Sequence, residues 1–124
     1  IAENKMKIQE IKKYQIRLTR KEIYLINDIL VDYWNAQEDV VCDCYEGVIY
    51  VLGIINKKTK FLIENKQMYF EPIELDTWAI QNLEYVLSKY AEEAKVAAIQ
   101  GYLLGFLQSE KVEPYKKEDL CCMN

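Results

Sequence analysis

Histidine is absent from the 124 residues, so any chemistry must come from carboxylates, thiols, lysines and tyrosines. Without imidazole there is no Ser-His-Asp or Cys-His nucleophile system, no His-ligated metal and no His general base. Asp28 and Asp32 stand four apart, which puts both carboxylates on one face of a helix. Such a pair performs acid–base work or holds Mg²⁺ only where other ligands converge and water is excluded. The spacing fits a solvated helix face. Glu38, Asp39 and Asp43 form a second acidic group, and Glu92 with Glu93 a third.

The four thiols come as Cys42-Asp43-Cys44 and Cys121-Cys122. Neither pair has the C-x-x-C spacing of a zinc ribbon. The cysteines are also too sparse for a disulfide scaffold, which points to reduced thiols in a cytoplasmic chain. A reactive thiolate needs a cation, a metal or a helix N-terminus beside it. Acids surround both pairs instead: Glu38, Asp39 and Asp43 near the first, Glu118 and Asp119 before the second. The four glycines form neither G-x-G-x-x-G nor a Walker A loop, and H-E-x-x-H and G-x-S-x-G are absent. No catalytic residue, cofactor site or metal site is expected, and the reading is that of a non-enzyme.

Lysines and aromatics offer more. Lys57, Lys58 and Lys60 precede Phe61, with Lys66 and Tyr69 beyond. A basic hairpin there could serve as the wing of a DNA-binding regulator whose recognition helix spans residues 19–33. Asp28 and Asp32 on that helix would repel phosphates, which disfavours nucleic acid. Ten tyrosines and two tryptophans are the other excess. Trp34 and Trp78 fall partly off the apolar stripes, and exposed aromatics of this kind anchor protein interfaces. The expected partner-binding residues are therefore Lys57, Lys58, Lys60, Tyr69, Trp34 and Trp78.

Charge is divided unevenly. Residues 1–66 hold eleven Lys/Arg against ten Asp/Glu, and residues 67–124 hold five against ten. The net charge of −4 opposes non-specific phosphate binding and suits a basic partner. No run reaches the roughly 18 apolar residues of a membrane span, and there is no signal-peptide core. The expected address is the cytoplasm, without membrane contact. The sequence opens on Ile1, and Met6 offers a natural start.

The elements that must position these groups show internal similarity. Ile16-Arg17-Leu18-Thr19 matches Ile73-Glu74-Leu75-Asp76. At the same offset of 57, Ile23 meets Ile80, Ile26 meets Leu83, Leu30 meets Leu87 and Tyr33 meets Tyr90. Each copy reads as a half-buried strand followed by a helix. Thr19 with Glu22 has capping-box spacing, and Asp76 caps the second helix. The repeat units span residues 14–55 and 71–109, with a connecting hairpin at 56–70 and an extended arm at 110–124, all in a single domain. If helix two ran unbroken through Ser109 it would measure about 50 Å. That exceeds the size of a domain with a radius of gyration of about 14 Å. It must therefore break near Glu92-Glu93 or pack on another subunit.

Small residues recur in its second part as Ala91, Ala94, Ala98, Gly101 and Gly105. Two readings fit: a central helix of the monomer, or the seam of a homodimer. Residues 40–55 are also read two ways. Val41, Cys44, Val48, Val51 and Ile55 keep helical spacing, whereas the Val and Ile content with Gly47 permits strands. The repeat favours helix, ended by Asn56-Lys57-Lys58-Thr59. Phe61–Ile63 and Met68–Phe70 then read as a β-hairpin.

The expected fold class is α+β: a small antiparallel sheet or hairpin with three to four helices, built as a duplicated strand–helix–helix unit with pseudo-twofold symmetry. The function it suggests is a cytosolic macromolecule-binding protein. The Lys/Ile/Tyr/Glu/Asn-rich composition fits an inhibitor or accessory protein of a phage or other mobile element. Its expected partners are a basic protein and a second copy of itself. The alternatives are the DNA-binding regulator and a small-ligand, nucleotide-like sequestering protein with its pocket at the dimer seam.

Overall fold

The computed structural model describes residues 12–36, 45–66 and 70–115. Cys42, Cys44, Cys121, Cys122, Glu38, Asp39, Asp43 and Tyr69 lie outside them. The order is β1 (Lys13–Thr19), α1 (Arg20–Ala36), α2 (Tyr45–Glu64), β2 (Phe70–Asp76), α3 (Thr77–Ser88) and α4 (Ala94–Ser109). Among the described residues this is a small α+β fold with four helices and a two-stranded antiparallel sheet.

The strand–helix–helix order occurs twice, and the strands of the two copies pair with each other. Lys13 faces Asp76 at one end and Thr19 faces Phe70 at the other. Arg17 faces Pro72 while Gln15 faces Glu74, so each repeat-equivalent pair swaps partners across the ladder. Ile16 and Ile73 alone are both equivalent and opposite. A pseudo-twofold axis therefore passes between them.

Alternation builds the ribbon. Ile16 and Leu18, with Ile73 and Leu75, are buried on one face, while Lys13, Gln15, Arg17, Pro72 and Glu74 are exposed on the other. Beneath the inner face lie Ile23, Ile26 and Leu30 of α1 and Ile80, Leu83 and Leu87 of α3. The outer helices add Val48, Val51, Ile55 and Leu62 from α2, and Val96, Ile99, Leu103 and Leu107 from α4. All belong to one core cluster.

Local chemistry sets the helix starts as the sequence predicts. The Thr19 N–H donates to Glu22 Oε1 at 2.8 Å, and the Glu22 N–H donates to Thr19 Oγ1 at 3.1 Å. That reciprocal pair is a capping box. Asp76 Oδ1 accepts the Ala79 N–H at 2.8 Å. The second long helix does break: α3 ends at Ser88, a turn intervenes, and α4 begins after Glu93. Its far end closes with Lys111 at φ 58° and the Val112 N–H donating to the Leu107 carbonyl at 2.8 Å. The Lys111 N–H donates to the Gln108 carbonyl, which completes a Schellman turn. Gln81 Nε2 then donates to the Glu113 carbonyl, holding the start of the predicted arm.

Two expectations fail at one place. Residues 45–55 are helical, but α2 does not end at Asn56–Thr59; it runs on to Glu64. Phe61–Ile63 is therefore helix and not the first strand of a hairpin, and the strand after it pairs with β1. The cause is burial. Ile55, Thr59 and Leu62 continue the stripe of Val48 and Val51 into the core. Thr59 tolerates burial because its hydroxyl donates to the Ile55 carbonyl at 2.8 Å. The helix end is held from elsewhere, since the Arg20 guanidinium donates to the Leu62 and Asn65 carbonyls. A cation there offsets the negative end of the helix.

Candidate functional site

Helix α2 is where the exposed apolar surface gathers. Ile49, Phe61 and Ile63 on α2 are 51%, 40% and 54% exposed. Val31 on α1 is exposed beside it, and Trp78 at the start of α3 is exposed too. Trp78 stacks on Tyr50 of α2, with ring centroids 5.1 Å apart and planes 25° apart. Val31 and Ile49 lie on the flank of α2 toward α1, Phe61 and the Tyr50–Trp78 stack on its other flank, and Tyr102 lies on α4.

The surface is anchored at both ends. At one end the Tyr50 hydroxyl donates to Asp76 Oδ2 at 2.6 Å, so one carboxylate caps α3 and fixes the Tyr50–Trp78 stack. That hydrogen bond, followed by burial, raises the Tyr50 hydroxyl above the ordinary tyrosine value. At the other end Arg20 holds the α2 terminus and donates to the Tyr24 hydroxyl at 2.7 Å. Midway, Asn56 Nδ2 donates to Asn27 Oδ1 at 3.4 Å, which ties α2 to α1.

Two depressions flank α2. One, of about 570 Å³, lies between α2 and the ribbon and is lined by Gln15, Ile54, Lys57, Lys58, Phe61, Pro72, Ile73 and Glu74. Within it Gln15 Nε2 donates to Glu74 Oε2 at 3.0 Å. The other, of about 460 Å³, lies between α1 and α2 and is lined by Val31, Ile49, Leu52, Gly53, Asn56, Lys57 and Lys60. Neither includes a residue of the predicted seam.

The lysines named from the sequence are thus brought together with apolar surface, on a helix and not on a hairpin wing. Lys57 borders both depressions and Lys60 borders the second. Lys58 Nζ lies 5.3 Å from the Phe61 ring centroid. Trp78 belongs to this surface, whereas Trp34 is half-buried against the core. Ile49, Ile63 and Val31 were not singled out by sequence reasoning. The signal available was apolar residues in α2 beyond the number its buried stripe needs.

The small-residue helix is not central. Val96, Ile99, Leu103 and Leu107 bury one face of α4, while Ala94, Ala98, Gly101 and Gly105 are exposed and Ala91 is half-buried. The reading of α4 as a helix enclosed on all sides is therefore corrected.

Asp28 and Asp32 are both exposed on α1, and Asp32 Oδ2 accepts the Tyr90 hydroxyl at 2.8 Å. No cluster of three potential metal ligands occurs among the described residues. No helix among them is long and apolar enough to cross a membrane. Burial first, and then the Asp32 carboxylate, push the Tyr90 hydroxyl from 10 up to about 12. The folded state therefore holds this proton more tightly than the unfolded chain. Its contribution is intact below pH 10 and is lost as the pH rises toward 12. A tyrosinate absorbance titration should show a late component near pH 12 that Tyr90→Phe removes. Stability between pH 10 and 12 should fall less steeply in the variant. A late component that survives the substitution would refute the assignment.

Comparison with protein families, with curated proteins and with solved structures finds no match.

Proposed function

We propose that this chain is a non-enzymatic, cytoplasmic binding protein that docks a protein partner through α2 and its neighbours. Inhibition or accessory action for a phage or other mobile element is the role this reading suits. The observation that carries it is that exposed Val31, Ile49, Phe61, Ile63 and Trp78 all lie on α2 or on the helices flanking it. Large apolar side chains left exposed beside polar ones are what interfaces present before their partners arrive. The lysines beside it favour an acidic partner, opposite to what the net charge of the chain suggests. Self-association through exposed Ala94, Ala98, Gly101 and Gly105 belongs to the same proposal, and solution mass by light scattering reads it.

The test is affinity capture from the source cells with the wild type, Ile49→Glu and Ile63→Glu. Both side chains are more than half exposed, so the variants should fold normally. One protein captured by the wild type and lost by both variants is the expected result. Capture that both variants retain unchanged would place the interface elsewhere.

A second reading has its own observation. A two-stranded ribbon fits the major groove of DNA, and the exposed face of this one carries Lys13, Gln15 and Arg17. Glu74, opposite Gln15 and bonded to it, opposes a phosphate-rich surface. Duplex DNA binding that weakens with salt and is lost in Arg17→Ala would favour this reading over docking by α2.

A further inference from the structure

The two halves of the fold allow an internal comparison. Among the buried positions of α2 are Val48, Val51, Ile55 and Thr59, and on α4 Val96, Ile99, Leu103 and Leu107 recur with identical spacing. Aligning the helices on these positions sets Ile49, Leu52, Gly53, Lys57 and Lys60 against Ala97, Gln100, Gly101, Gly105 and Gln108. The α1/α2 face therefore carries large apolar side chains and two cations. The corresponding α3/α4 face carries small and neutral ones. One architecture holds two differently dressed surfaces, and the first forms a depression between its helices.

That depression has a polarity. Val31, Ile49 and Leu52 supply apolar walls, and Gly53 leaves a notch: a Cβ built there meets nothing within 4 Å. Lys57 and Lys60 stand at one end, on successive turns. Among the described residues neither lysine is paired with an acid, and no carboxylate lines the depression. Asp32, next to Val31 on α1, and Glu64, one turn after Lys60 on α2, are the nearest acids in sequence, and neither is part of the lining.

We infer that this depression receives an acidic amphipathic helix of a partner protein. Its apolar anchors would enter between Val31 and Ile49 over the Gly53 notch, and its carboxylates would meet Lys57 and Lys60. The inference rests on the docking role proposed above and adds the class of partner. Two antiparallel helices with a shallow apolar seam are suited to receiving a third helix, whose anchors recur at i, i+3, i+4 and i+7. The unpaired ammonium groups choose the sign of its charge, which governs specificity and encounter rate more than affinity.

The test uses the full chain, isotopically labelled, and two synthetic 18-residue amphipathic peptides. Both carry leucines at i, i+3, i+4 and i+7; one has glutamates and the other lysines on its polar flanks. Titration followed by NMR should shift the amides of Val31, Leu52 and Gly53 with the acidic peptide. Its affinity should be at least tenfold that of the lysine peptide and should weaken with salt. Gly53→Leu puts a side chain where a Cβ meets nothing within 4 Å, and should abolish binding while the spectrum stays folded. Lys57→Glu with Lys60→Glu should reverse the charge preference. Equal binding of both peptides, shifts located elsewhere, or no shifts with either peptide at millimolar concentration would overturn the inference. So would the same amides shifting with the protein's own concentration, which would make the occupant a second copy. These results are separable from the capture experiment. A partner lost by Ile49→Glu and Ile63→Glu but indifferent to Gly53→Leu would leave the docking role standing and refute the acidic helix.

Discussion

Alanine at Ile16 or at Ile73 is expected to destabilise the fold by about 2–5 kcal/mol each, the range for losing a buried isoleucine with partial collapse of the cavity. Both side chains are essentially inaccessible. They occupy the one cross-strand pair on the pseudo-twofold axis, where each copy of the repeat meets its equivalent. Cross-strand partners on one face lie close enough to interact directly. The two substitutions should therefore not add. A double-mutant cycle by urea denaturation should give a coupling of about 0.5–3 kcal/mol, as for residues that share a contact. The pair Ile16→Ala with Leu107→Ala gives the contrast, because Leu107 lies on α4 and not in the ladder. Equal coupling in both cycles would show that the core responds as a whole and that the axis has no special role. Because a domain of this size is stable by only about 5–15 kcal/mol, the double variant should be close to unfolding.

What the sequence disclosed, and what it hid, divides along the range of the forces involved. Thr19 with Glu22, and Asp76 ahead of Ala79, were legible because a cap acts within one turn. The I-x-L pattern placed both strands, since alternation follows from the pleat alone. The equivalence of the strands was also legible through the offset of 57 shared by the positions around Ile16 and Ile73. The course of residues 56–64 was not. Asn-Lys-Lys-Thr reads locally as a terminus, and what keeps it helical is distant: burial of Thr59 and Leu62 in the core, and the Arg20 guanidinium 42 residues from Leu62. Misplacing that boundary split α2 and turned Phe61–Ile63 into a strand. The exposure of Ile49, Phe61 and Ile63 on a single helix then disappeared from view. Lys57, Lys58 and Lys60 were rightly singled out as charged surface but assigned to the wrong scaffold. A charge run shows only that a segment is solvated, whereas the element beneath it is set by its neighbours.

One kind of substitution should change sign between positions in the same pair of helices. Gly53, Gly101 and Gly105 lie in helices with open space where a Cβ would sit. Alanine at each is expected to stabilise by up to about 1 kcal/mol, because glycine is the costlier residue in a helix interior. Gly47 should behave oppositely. A methyl group there would overlap the Asn82 carboxamide, where α2 crosses α3. Asn82 is buried, and its Nδ2 donates to the Trp78 carbonyl at 2.9 Å. Swinging the carboxamide aside breaks that bond in a site that water does not reach. An unpaired buried polar group costs about 1–3 kcal/mol, which outweighs the helix-propensity gain. Gly47→Ala should therefore lower the urea midpoint and raise the exposure of the Tyr50–Trp78 stack, seen as a red shift of tryptophan emission. Shortening the obstacle separates steric overlap from any other cause. In an Asn82→Ala background the carboxamide is gone, and Gly47→Ala should become neutral or mildly stabilising. If the cost of Gly47→Ala persists there, the approach of α2 to α3 is limited by backbone, and the two helices would have to move apart to admit any side chain at residue 47.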